Sequence, residues 1–261
     1  LGTDAGISLY ANWGEHALNE QEKAIYDVLK AKAADIAANG GSTQDMLDGG
    51  SAAMRWTYEE LGVDGQQSNY QNAVVSTLKA SMRKIVDVLL ADCPYELYWY
   101  NKAEGGGWQY AYGMRPDDTG VTVTVSQLGF AVADAYQVDG NKYEADASKA
   151  QTAARAVEAA KAIVDKYKGV SDFEKLQGYK NEICSLTSYN SSAAQNPMTP
   201  YGDPWQIIYV FDGDPQTNVV CEGYAKAFQY LCDLTTFASS DIVCYTVTGW
   251  MVNEAHMWNI V

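Results

Sequence analysis

The sequence predicts an α+β fold, and three features of it carry that prediction. Apolar residues recur at helical spacing through the N-terminal third, a β-branched alternating stretch follows, and the C-terminal end reads as a helix and then two strands.

Asn19–Ala38 places Ile25, Val28, Leu29 and Ile36 at helical spacing, and Asn39-Gly40-Gly41 supplies helix-stop chemistry. Leu47–Leu61 reads as a weaker helix stopped by Gly62. Asn72–Leu90 is a strong one, with Val75, Leu78, Met82, Ile85, Val86 and Leu89 on one stripe. Pro94 and the aromatic run Tyr95–Tyr100 follow, then the flexible turn Gly105-Gly106-Gly107. Trp108–Met114 and Val121–Gln127 have the alternation of strands, and Gly140-Asn141 marks a turn. Ala147–Tyr167 and Asp172–Leu186 read as helices, and Ser188–Pro204 as a loop. Val219–Leu234 is then a helix, with Val243–Thr248 and His256–Val261 as strands. The parts divide into a helical N-terminal region with a short strand segment, 1–170, and a C-terminal part, 171–261.

The 261 residues carry 33 Asp and Glu against 18 Lys and Arg, a net charge of −15. Binding to phosphate backbones or anionic lipid rests on clustered Lys and Arg, so nucleic acid is not an expected partner. No apolar run approaches the ~20 residues of a membrane span. The chain opens on Leu1 without a signal-peptide pattern and reads as a mature or trimmed form. The five cysteines are scattered with no C-x-x-C pair, so neither a disulfide framework nor a metal site is expected, and no cofactor motif is present. Cys232 and Cys244 read as buried free thiols, with pairing as the alternative.

Only two histidines are available as a general base. His16 lies near the terminus and reads as a surface group, whereas alternation puts His256, Trp258 and Ile260 on one strand face. A histidine there is a packed core residue or a base, and Cys221 weights the choice. In Val219-Val220-Cys221-Glu222-Gly223-Tyr224-Ala225-Lys226-Ala227-Phe228 the thiol opens a helix. The helix dipole and unpaired N–H groups there are expected to lower its pKa and to hold an oxyanion, with Gly223 leaving room for a substrate backbone. A strand pair packed on that helix brings His256 towards Cys221 as its base.

Cys221–Phe228 and His256-Met257-Trp258-Asn259-Ile260-Val261 resemble the two core motifs of the bacterial transglutaminase-like superfamily. Ile183–Asn190 resembles the helix end that precedes them, and the similarity covers Phe173 to Val261. Pro94–Trp99 fits the N-terminal region of secreted Gram-positive members. The resemblance implies a papain-like, transglutaminase-like core with a helical N-terminal region, and an extracellular or cell-surface location. It implies a Cys–His–Asp triad with Cys221 as nucleophile and His256 as base and acid. The family's Asp lies on the strand after the histidine. Asp241 precedes His256 and reads as a loop residue, so the natural protein is expected to continue past Val261. The family often draws an oxyanion donor from an aromatic residue upstream of the cysteine. Trp205 is the candidate and Gln206 the alternative, while Trp205 packed under its loop is the competing reading.

The expected reaction is thiol-dependent acyl transfer on peptide or glutamine-type amides, by a cysteine protease or amidase or by a transglutaminase. The expected partner is a protein or peptide substrate, a cell-wall peptide among them. The alternative is a catalytically inactive surface binding module that keeps the fold. The 19 Tyr and 7 Trp are scattered along the chain and read as core or half-buried rather than as a carbohydrate platform.

Overall fold

A computed structural model describes residues 8–11, 17–47, 53–64, 70–102, 107–196, 207–251 and 254–261. The chain separates into two units: Gly14–Asn101 with Gly105–Ala147, and Leu1–Trp13 with Lys102–Glu104 and Ser148–Val261. The division falls after Ala147, ahead of the 170/171 boundary drawn from sequence. Strand β1 (Ser8–Ala11) belongs to the C-terminal unit.

In the other unit, α1 (Glu20–Asn39) begins with a capping box: the Asn19 side chain accepts from the Glu22 N–H, and Glu22 accepts from the Asn19 N–H. It packs on α2 (Tyr70–Asp92), whose Val74, Leu78, Met82, Ile85 and Leu89 are buried. Two small antiparallel sheets complete the unit. One orders β3 (Ala53–Thr57), β5 (Gly120–Phe130) and β4 (Trp108–Pro116) as β3-β5-β4. The other orders β2 (Gly41–Ser42), β7 (Asn141–Ala145) and β6 (Gln137–Val138) as β2-β7-β6. Asp139 and Gly140 both take positive φ, 47° and 77°, in the tight turn between β6 and β7.

One segment read as a helix holds a strand. The expected helix Leu47–Leu61 contains strand β3, paired antiparallel to β5 with Met54 opposite Val123 and Trp56 opposite Val121. Its helical spacing is weak, and the ladder to the Val-rich β5 satisfies both its backbone and the buried Met54. The aromatic run after α2 is core: Tyr98 and Trp99 are buried in a series of turns.

The C-terminal unit combines helices with the antiparallel sheet β1-β8-β9, formed by β1, β8 (Tyr245–Met251) and β9 (Glu254–Ile260). The Ala-rich helix α3 runs Gln151–Lys166, after a 3₁₀ turn at Ala147–Lys149. Helix α4 (Asp172–Leu186) opens with a second capping box, between Ser171 and Glu174. A five-residue helix, α5 (Ser191–Gln195), interrupts the expected loop, capped by the Asn190 side chain. Helix α6 (Cys221–Asp233) touches α3, α4, β8 and β9. Strands are paired antiparallel throughout the described sheets, which fits an α+β fold rather than a parallel α/β one. No helix among the described residues is long and apolar enough to cross a membrane.

Candidate active site

The site lies within the C-terminal unit, where α4, α6 and β9 enclose a cleft of about 330 Å³. Cys221 is the first residue of α6, preceded by Val220 in extended conformation (φ −93°, ψ −174°). Valine has no side-chain acceptor, so α6 starts without a side-chain cap. The N–H groups of Gly223 and Tyr224 turn back to the Val220 carbonyl, at 3.0 and 3.4 Å. Those of Cys221 and Glu222 face the site: the Glu222 N–H points at the Cys221 sulfur, and the Cys221 N–H at the phenol oxygen of Tyr189.

Tyr189 is the residue the sequence reading missed. Its backbone forms an isolated parallel bridge to Val219, and the Asn190 N–H donates to the Val219 carbonyl at 3.0 Å. The start of α6 is thereby tied to the end of α4. The Tyr189 ring stacks on Tyr224 at 6.2 Å between centroids, and the Tyr224 hydroxyl donates to the Thr187 carbonyl at 3.2 Å. This frame brings the Tyr189 hydroxyl to the Cys221 thiol. A tyrosine two residues ahead of a short helix carries no sequence signal for such a role; only the bridge across thirty residues of chain reveals it.

The sulfur therefore meets three donors, the N–H groups of Met257 and Glu222 and the hydroxyl of Tyr189, each of which favours the thiolate. Burial opposes them and is the larger effect, so the Cys221 thiol is pushed up from its ordinary value. This corrects the expectation of a depressed pKa. The helix-start donors are in place, but the neighbouring Glu222 carboxylate and the apolar surround outweigh them.

His256 lines the same cleft from β9, so the two residues singled out in the sequence share one cleft. The strand is presented edge-on, which is why four consecutive residues, His256 to Asn259, line it. The Asn259 side chain donates to the Ala225 carbonyl at 2.9 Å, locking β9 to α6. Thr246 of β8 adds bonds from its N–H and hydroxyl to Gln229, at 2.8 and 2.5 Å. His256 pairs with Gly249 across the ladder, leaving the imidazole no cross-strand side chain, and its ring lies 5.8 Å from that of Trp258. No carboxylate among the described residues bonds to the imidazole, and Asp241 is an exposed turn residue. Trp205, Gln206 and His16 lie outside the described residues.

Gly223 does not open the cleft to a substrate backbone. It is buried, and a Cβ there would stand 2.5 Å from the Cβ of Val219, so its small size serves the packing that ties Val219 beneath α6. Beside it, Glu222 turns inward to an ion cluster with Lys102 and Lys226, the latter at 2.7 Å. The two ammonium groups hold the buried Glu222 carboxyl down at about 2, while burial pushes Lys102 down to about 8.

No family model and no curated protein matches this chain. The remaining thiols give no second site of the same kind. Cys232 and Cys244 are buried free thiols in mutual hydrogen-bond contact, Cys93 is buried, and Cys184 is exposed at the cleft. No group of three or more His, Cys, Asp or Glu able to hold a metal ion occurs among the described residues.

Proposed function

We propose that the chain is a transglutaminase-like cysteine enzyme with a papain-like core, transferring acyl groups from peptide or glutamine-type amides through Cys221. The observation that carries this reading is the junction itself: a thiol at an uncapped helix start, facing a histidine-bearing strand across one cleft. Because the resting thiol is protonated, the imidazole must take the proton as the sulfur attacks the amide carbonyl. On this reading the Cys221 N–H and the Tyr189 hydroxyl, which point at the phenol oxygen and the sulfur in the resting site, turn to the oxyanion as it forms. The imidazolium then protonates the departing nitrogen, the C–N bond breaks and a thioester remains. Water releases the acid and restores the thiol, and this hydrolytic outcome is the one we favour. The location that accompanies this reading is extracellular or at the cell surface.

The test is release of ammonia or amine from glutamine-containing peptides. Cys221→Ser should fold as the parent does and release none; full activity in that variant would remove Cys221 from the mechanism.

Tyr189→Phe isolates the phenol. The ring and its stack on Tyr224 survive, but the sulfur and the oxyanion lose a donor. The midpoint for alkylation of Cys221 by iodoacetamide should move upward, because the lost hydrogen bond favoured the thiolate. Acylation at neutral pH should slow by about tenfold, and an unchanged midpoint and rate would make Tyr189 a packing residue only.

The second reading, a binding module that retains the fold, draws on the raised thiol and on an imidazole without an orienting acid among the described residues. It predicts that Cys221→Ser leaves every property of the protein unchanged.

A further inference from the structure

The cleft has a direction. Helices α4 and α6 run antiparallel: the Tyr224 hydroxyl reaches the Thr187 carbonyl at one end. At the other end the Tyr179 hydroxyl meets Thr235 Oγ1 at 2.7 Å and Lys175 Nζ the Thr236 carbonyl at 3.2 Å. Cys221, Tyr224, Ala225 and Phe228 form one stripe of α6 in the cleft wall, and Lys180, Ile183 and Cys184 form the facing stripe of α4. Phe228 thus lies about two turns from Cys221, on the order of 10 Å, and Lys180 stands at the same remote end. Between them the wall is aromatic and aliphatic.

Lys180 differs from six other lysines of its unit. Lys102, Lys161, Lys166, Lys168, Lys175 and Lys226 each pair with a carboxylate. Lys180 is exposed and has no ion-pair or hydrogen-bond partner among the described residues, although acidic groups outnumber basic ones 33 to 18 in the chain. It is the one lysine or arginine among the described residues that line the cleft.

The geometry points to a peptide substrate that lays an apolar residue on Tyr224 and Phe228 and presents a carboxylate to Lys180, about three residues from the reacting carbonyl. That spacing follows from an extended peptide advancing ~3.4 Å per residue over the length of the cleft. The inference rests on the acyl-transfer reading for the identity of the reacting carbonyl. The carboxylate belongs to an Asp or Glu side chain or to the end of the peptide, two sources with the same chemistry at the ammonium group.

Alkylating peptides test it with the intact chain. One set carries a C-terminal chloromethyl ketone and the other an N-terminal chloroacetyl group, so that both directions along the cleft are sampled. Each has Phe next to the electrophile and Glu or Gln at the third residue; further members of the chloroacetyl set stop there as a free acid or an amide. The rate is read at Cys221 by peptide mapping, with Cys184 followed alongside. In one set, Glu should react faster than Gln by roughly three- to fivefold at low salt, fading as salt screens the pair. Lys180→Met should abolish the ratio and Lys180→Glu reverse it. The free-acid members distinguish a chain end from a side chain. Equal rates for Glu and Gln in both sets, or a preference that survives Lys180→Met, would overturn the assignment. The ratio is measurable whether or not His256 assists alkylation, so loss of the acyl-transfer reading leaves a separate signature: rates at Cys221 indifferent to His256→Ala.

Discussion

Replacing His256 with alanine is expected to slow acyl transfer to Cys221 by on the order of 100- to 10,000-fold at neutral pH. The reason lies in the state of the thiol. Burial keeps the resting sulfur protonated despite the donors around it, so little thiolate exists before substrate arrives. An acceptor for the proton is then required in the step that forms the sulfur–carbon bond, and His256 is the histidine in the cleft wall. Gly249 opposite His256 and the Asn259 bond to Ala225 hold the strand without engaging the ring, so the substitution should leave the fold intact. Retained acylation in a folded His256→Ala protein would assign the proton to another group.

The largest effect on stability is expected at Glu222. Its carboxylate sits between Lys102 and Lys226, with Glu222 and Lys226 buried and Lys102 nearly so, and Glu222→Gln takes away the acid that bridges the two cations. Breaking such a cluster should cost about 3–5 kcal/mol, measured by urea unfolding. The same cluster sets the pH response. Glu222 is held at about 2 in the folded chain, against ~4.3 when unfolded. Its contribution is therefore complete above the unfolded value and is lost as pH falls from there through about 2. Lys102 shifts the other way round. Its folded value of about 8 lies below the unfolded ~10.4, so its burial cost is present below pH 8 and is relieved as pH rises across that window. Glu222→Gln should consequently recover part of its lost stability near pH 9–10. A loss under about 1 kcal/mol, or no recovery in alkali, would show that the cluster does not hold the start of α6.

Much of the frame was legible because local signals agreed with tertiary packing. Asn19 and Ser171 each precede a glutamate by three residues, and each starts a helix by the expected reciprocal bonds. The alternation of β4 and β5 survives as a ladder, and the order helix, strand, strand at the C-terminal end is the order found. β3 was misread because five residues with one deeply buried side chain give a pattern too short to separate periods of 2 and 3.6. At the candidate site, the place of Cys221 at the start of α6 and of His256 on β9 was legible, but the state of the thiol was not. A helix start predicts a lowered pKa, whereas the burial that reverses it comes from residues distant in sequence. Tyr189 and Lys180 were invisible for the same reason: their meaning depends on the antiparallel alignment of α4 with α6.

The order in which thiols react tests the central claim most directly. Cys184 is exposed and Cys221 half-buried at the same cleft, so unassisted chemistry attacks Cys184 first. The chain is treated near pH 7 with a small activated acyl ester, and each of its five cysteines is followed by mass spectrometry. An enzyme working through Cys221 acylates that residue first, ahead of Cys184, and loses this precedence in His256→Ala. Acylation of Cys184 ahead of Cys221 in the parent protein, or a Cys221 rate indifferent to His256, would contradict it.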